Sequence, residues 1–282
     1  MFIKNQPLEM KSMKQTIKKS RKKYLPLRIF LCVGCLALLA GIFASVARFS
    51  SALPVAAPAE PSPVSTPATP APTATSEPTP APDTVLEDVP YISQEGILPT
   101  GCEVVSAAMV VQYWGADVSA TEMADALPCW DVEYRDDVLY GPDPNEYFVG
   151  TPYSDGSYGC FAPVIAGIIP EVCPNLEAVA LENISLDTLY SDYVAQGIPV
   201  LIWATINLLE VREGSGWILP DGSTFYWPGN EHCMVLIGRE EDEYICLDPY
   251  YSNGQVQLPA DALTQRYQDL GSQAVVIVPS GQ

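Results

Sequence analysis

Hydrophobic periodicity divides the chain into three stretches. Residues 29–47, IFLCVGCLALLAGIFASVA, are apolar without a break and have no polar face. Residues 51–82 carry no period at all, only Pro, Ala, Ser and Thr with a few other residues between them. Beyond Asp83 the helical period of about 3.6 and the strand period of about 2 alternate, as a packed domain requires.

In that third stretch the clearest helical pattern opens at Cys102. Val105, Ala108, Met109 and Gln112 follow at helical spacing, and Tyr113 and Trp114 close the run before Gly115. Pro99-Thr100-Gly101 ahead of it reads as a turn. A short helix is expected over 120–127, where Ser119 and Glu122 have capping-box spacing. Further helices are expected near 160–170, 186–196 and 259–269, and strands near 85–92, 199–204, 232–238, 243–248 and 274–278. WILPDGSTFYW reads as a hairpin turning at Asp221-Gly222, and 128–159 as mostly irregular. The expected class is α+β, with helices packed to one side of an antiparallel sheet.

The first two stretches predict an addition to that domain. Lys18, Lys19, Arg21, Lys22 and Lys23 precede the apolar run, which at about 1.5 Å per residue approaches the thickness of a bilayer core. The expected organisation is a basic cytoplasmic segment at 1–28 and a transmembrane signal anchor at 29–48. A Pro/Ala/Ser/Thr-rich linker at 49–84 and a globular domain at 85–282 follow. This places the chain at the cell membrane, single-pass, with its C-terminal domain extracellular. Cleavage after the small residues at Ala47 or Ala52 would make it secreted instead.

Charge narrows the partners. The whole chain has 34 acids against 14 bases. From Asp83 onward 31 acids meet only Arg135, Arg212, Arg239 and Arg266, a formal charge of −27. Nucleic acid is excluded as a partner because phosphate binding needs Lys/Arg patches. Basic substrates are favoured by such a field.

The candidate chemistry is nucleophilic. A cysteine starting a helix, as Cys102 does, lies beside unpaired N–H groups and the positive end of the helix dipole, both of which favour thiolate. The one histidine in the chain, His232, opens a strand in EHCMVLIGRE, and Asp248 ends the next strand in YICLDPY. Nucleophile, base and orienting carboxylate are the three roles a thiol hydrolase fills. Cys160, opening another helix, is a rival nucleophile without an assigned base. Cys233 and Cys246 read as small apolar core residues. No cofactor is expected, and no zinc, since the cysteines lack paired metal spacing. Aromatic and acidic residues of the loop 141–159, among them Asp143, Tyr147, Tyr153, Asp155 and Tyr158, could line a groove for a basic peptide, with Trp217 and Trp227 as a wall.

The segments VPYISQ…PTGCE, EHCMVLIG and LDPY, with GPDPNEYFVGTPYSDGSYGCFAPVI between them, resemble papain-like cysteine peptidases related to the double-glycine leader peptidases, of the surface-anchored Gram-positive type. That resemblance spans about 86–280 and implies a papain-like cysteine peptidase fold. It assigns Cys102 as nucleophile, His232 as general base and acid, Asp248 as orienter and Gln94 as side-chain oxyanion donor. The implied activity is peptide-bond hydrolysis through a thioester acyl-enzyme, with a peptide or protein substrate. The rival readings are a cell-wall peptide amidase or acyltransferase of the same fold, with cell-wall association, and a non-catalytic surface-binding module.

Overall fold

Alternation of apolar residues on both sides of its long strands makes the central sheet of this protein a buried layer. The computed structural model describes residues 83–250 and 253–281, all within one unit, Thr75–Gln282. In chain order the strands are β1 (Thr84–Val85), β2 (Cys129–Trp130), β3 (Glu133–Arg135), β4 (Val138–Tyr140), β5 (Phe148–Val149), β6 (Leu176–Leu181) and β7 (Val200–Thr205). The series ends with β8 (Glu213–Ile218), β9 (Thr224–Pro228), β10 (Glu231–Glu240), β11 (Glu243–Asp248), β12 (Gly254–Pro259) and β13 (Ala274–Pro279). The helices are α1 (Cys102–Tyr113), α2 (Ala120–Asp125), α3 (Ala162–Val172), α4 (Leu186–Asp192) and α5 (Ala260–Asp269).

The main sheet runs β12-β11-β10-β7-β13-β6, with β1 added beside β10, and every pairing in it is antiparallel. β10 can hold three neighbours because it is long. Its first half, from Glu231 to Leu236, pairs with β7, and β1 takes the place of β7 at Gly238 and Arg239.

The architecture is α+β, as expected, but the helices cover both faces of the sheet. Leu201, Trp203, Cys233, Val235 and Ile237 face one core with α1, α2 and α3. Val200, Ile202, Ala204, Met234 and Leu236 face the other core with α4 and α5. The one-sided expectation fails because β7 from Val200 to Ala204 and β10 from Cys233 to Ile237 are apolar at every position, and such runs need cover on both sides.

Helix α1 ends within one residue of its expected limit. Serine 119 caps α2 through the expected box: its side chain accepts from Glu122 N–H, and the Glu122 carboxylate accepts from Ser119 N–H. The expected helix 186–196 breaks at Tyr193 into α4 and a short 3-10 turn, Val194–Gln196. Strand 85–92 shrinks to β1. Strands β6 and β12 were not expected, although LEAVAL is a short apolar run and GQVQLP alternates, and the irregular stretch 128–159 contains four short strands. The hairpin is real, yet its turn differs. Gly222 N–H bonds to Leu219 C=O and Leu219 N–H to Ser223 C=O, making a three-residue connection in which Gly222 alone takes positive φ, at 88°.

The expected single-pass membrane placement is corrected. Among the described residues no helix is long and apolar enough to cross a membrane. The segments assigned to cytoplasm, anchor and most of the linker lie outside the described residues.

Candidate active site

His232 and Asp248 meet because of strand register. Val235 stands opposite Leu247, so the next step sets Asp248 beside Met234, with His232 two residues further along the same face. Diagonal neighbours of this kind are within side-chain reach. His232 Nε2 lies 2.6 Å from Asp248 Oδ1, and both side chains are buried. Asp248 also accepts from Tyr250 N–H at Oδ1 and from Asn253 Nδ2 at Oδ2, each at 2.9 Å. Burial alone would push this carboxyl up. The hydrogen bond and charge of His232, then the bonds from Asn253 and Tyr250, outweigh it and hold the carboxyl below its ordinary value. An ionised Asp248 fixes a proton on Nε2 and leaves Nδ1 as the ring nitrogen free to exchange one.

Cys102 is the first residue of α1, directly after Gly101, and is buried. It shares a cleft of about 240 Å³ with His232, Gln94, Tyr158, Trp227 and Glu231. The thiolate expected from the helix terminus is not favoured here. Burial, and after it the carboxyls of Glu103 and Glu231, push the thiol well above its ordinary value. A partial helix dipole cannot offset desolvation combined with two nearby acids.

Those two acids are the residues that sequence reasoning missed. Glu103 is fully buried; its Oε1 accepts from Cys160 N–H at 2.8 Å, and its Oε2 faces the Cys102 Sγ–H at 3.4 Å. Desolvation drives its carboxyl up to about 7. Glu231, 8% exposed, has an Oε1 with no hydrogen-bond partner. Burial, and then the charge of Glu103, raise its carboxyl well above the ordinary range. The Cys102 sulfur and one carboxylate oxygen from each glutamate all lie within 4.8 Å of one another. A signal existed in the sequence: Glu103 is the sole charge in CEVVSAAMVV, and Glu231 opens an apolar strand on the same side as Cys233 and Val235.

The remaining candidates divide. Gln94 lines the cleft, with its backbone N–H bonded to Pro249 C=O. Its Nε2 donates to Pro99 C=O at 2.9 Å, and its buried Oε1 has no partner. Cys160 is buried outside the cleft lining, and burial raises its thiol too. From the acidic and aromatic loop, Asp155 and Tyr158 reach the cleft, whereas Tyr153 turns away to donate to Asp125 at 2.6 Å. Trp227 forms a cleft wall; Trp217 is a core residue whose Nε1 donates to Pro142 C=O. A larger cavity of about 730 Å³ lies against Trp227 as well, lined by Phe161, Phe225, Glu182, Glu213 and Asp269, but it contains neither Cys102 nor His232. All six described cysteines are free.

Comparison with known proteins finds matches in sequence and in fold. The sequence profile of the Peptidase_C39 like family matches residues 86–275. The uncharacterised protein YvpB of Bacillus subtilis (strain 168) is 29% identical over 177 residues, covering 63% of this chain and 68% of that protein. A crystal structure of a C39-like peptidase candidate from Bacillus anthracis superposes with a TM-score of 0.64 at 31% identity, covering 71% of this chain and all of the other. A double glycine motif protease from an AMS/PCAT transporter, solved with its leader peptide, overlaps more loosely, at TM-score 0.41 and 15% identity over 70% of this chain and 99% of that one. None of these matches distinguishes a surface-anchored subgroup.

Proposed function

The chain belongs to the Peptidase_C39 like family, and from that premise we propose that it is a cysteine peptidase whose nucleophile is Cys102. The observation that carries this reading is the buried His232–Asp248 pair, 2.6 Å apart, opening on the same cleft as the thiol at the start of α1.

In the proposed mechanism His232 accepts the Cys102 proton at Nδ1 while Asp248 holds Nε2–H. Because burial, and after it the Glu103 and Glu231 carboxyls, oppose the free thiolate, Cys102 rests as the neutral thiol. Proton transfer therefore accompanies attack on the peptide carbonyl rather than preceding it. The sulfur forms the new bond to carbon, and His232 returns the proton to the departing amine. Water, deprotonated by the same imidazole, then hydrolyses the thioester and regenerates the thiol. The oxyanion is held by the Cys102 backbone N–H, which as a helix-start group has no intrahelical acceptor, and by the remaining N–H of the Gln94 amide. The substrate is a peptide or protein, with a preference for basic residues from the −27 charge of the domain and from Asp155 in the cleft.

The test is covalent capture. A peptide carrying an electrophile in place of its scissile bond is expected to modify Cys102 in the wild type, and to do so far more slowly in His232→Ala. Mass spectrometry finding no adduct on Cys102, together with no hydrolysis of an unstructured peptide mixture, ends the proposal.

A further inference from the structure

We propose that Cys102, Glu103 and Glu231 form a zinc site, and that the metal, when bound, holds the nucleophile in an inactive state. The donors come from two distant parts of the chain, the start of α1 and the start of β10, and converge: sulfur and two carboxylate oxygens within 4.8 Å of one another. Acids near a thiol would not suffice. Glu231, however, is more than nine-tenths buried, and its Oε1 has no hydrogen-bond partner. An unpaired carboxylate oxygen withdrawn from water asks for a cation.

Geometry selects the metal. With zinc–sulfur at about 2.3 Å and zinc–oxygen at about 2.0–2.2 Å, two tetrahedral ligands stand roughly 3.5 Å apart. The Cys102 Sγ to Glu103 Oε2 separation is 3.4 Å, so zinc can take the position now held by the thiol proton. Glu103 is held for this role, because its other oxygen is fixed by Cys160 N–H. Glu231 completes the third vertex with a small closure. A thiolate donor disfavours the hard cations magnesium and calcium, and three protein ligands leave a fourth position for water from the cleft. Binding exchanges one zinc ion for the thiol proton and for whatever protons the two carboxyls carry: the S–H and any O–H bonds break, zinc–sulfur and zinc–oxygen bonds form, and the protons leave to solvent with no change of oxidation state. The sulfur lone pair is then committed to the metal and cannot attack a carbonyl.

The inhibitory meaning rests on Cys102 being the nucleophile; the site itself does not. Metal-free full-length protein titrated with cobalt(II) is expected to develop a thiolate-to-cobalt charge-transfer band, saturating at one equivalent and displaced by one equivalent of zinc. Cys102→Ser is expected to lose the band, and Glu231→Gln to weaken cobalt binding at least about tenfold. Far-ultraviolet circular dichroism checks each variant, and Cys102→Ser decides the matter if Glu231→Gln does not fold. Cobalt binding without the band, or a band with unchanged affinity in Glu231→Gln, overturns the site. If the band appears but metal-free protein hydrolyses no peptide, the peptidase reading fails while the metal site stands. If zinc leaves hydrolysis and Cys102 alkylation unchanged at saturation, the inhibitory role is overturned.

Discussion

Asp248 binds His232 Nε2 at 2.6 Å and is itself gripped by Tyr250 N–H and Asn253 Nδ2. A carboxylate anchored at both oxygens sets the tautomer and the angle of the imidazole together.

Asp248→Asn should therefore leave the fold standing and damage turnover. An amide can present its N–H to Nε2, which moves the ring proton to Nδ1, where a base needs a lone pair. Loss in kcat of about 10³–10⁴ is expected, with KM little changed. Steady-state kinetics beside a thermal melt separate this from unfolding; a variant retaining more than a tenth of wild-type kcat contradicts the orienting role.

Glu103 should make stability pH-dependent in a defined sense. Its folded carboxyl titrates at about 7 against 4.5 for the free group. The folded state thus binds the extra proton, so the contribution is complete below pH 4.5 and disappears as pH rises through about 7. The size is on the order of 3 kcal/mol at 1.36 kcal/mol per pH unit. Glu231, raised by burial and then by Glu103, extends the same slope to higher pH. Urea unfolding from pH 4.5 to 8 should show Glu103→Gln losing much of the decline; parallel curves for both proteins would rule this out.

Thiol reactivity should respond to the same acids. Once ionised, Glu231 raises the Cys102 thiol through its charge, so Glu231→Gln in metal-free protein should be alkylated by iodoacetamide several-fold faster at alkaline pH, where the wild-type carboxylate is charged. Cys160, buried outside the cleft lining, should remain unlabelled in both. Peptide mapping after timed alkylation reads both cysteines at once, and slower labelling of Cys102 in the variant would contradict the electrostatic account.

Gly159→Ala should disturb the site without touching a candidate catalytic residue. A Cβ at 159 would come within 2.5 Å of Glu103 Oε1, and about 3.1 Å from the Trp227 ring. Neither neighbour moves freely, one being buried and bonded to Cys160 N–H, the other packed among Trp217, Phe161 and Tyr158. Destabilisation of about 1–3 kcal/mol is expected from overpacking. Denaturant unfolding at pH 7 measures it, and a change below about 0.5 kcal/mol would mean that the glutamate relaxes away.

Local pattern determined much of this protein. The helix opening at Cys102, the Ser119 capping box, the pairing of β10 with β11 and the meeting of His232 with Asp248 follow from periodicity and register. Those are short-range rules, expressed within about 16 residues of chain. Tertiary structure decided what depends on distant surfaces. Only packing put helices on both faces of the sheet, since alternation tells that two sides are apolar but not what covers them. Only packing withdrew the Cys102 thiol from water beside Glu103 and Glu231, reversing the ionisation its helix position favours. A side chain's protonation is set by the dielectric and charges around it in space, and those neighbours, 128 residues apart in the case of the two glutamates, carry no mark of their proximity in the sequence.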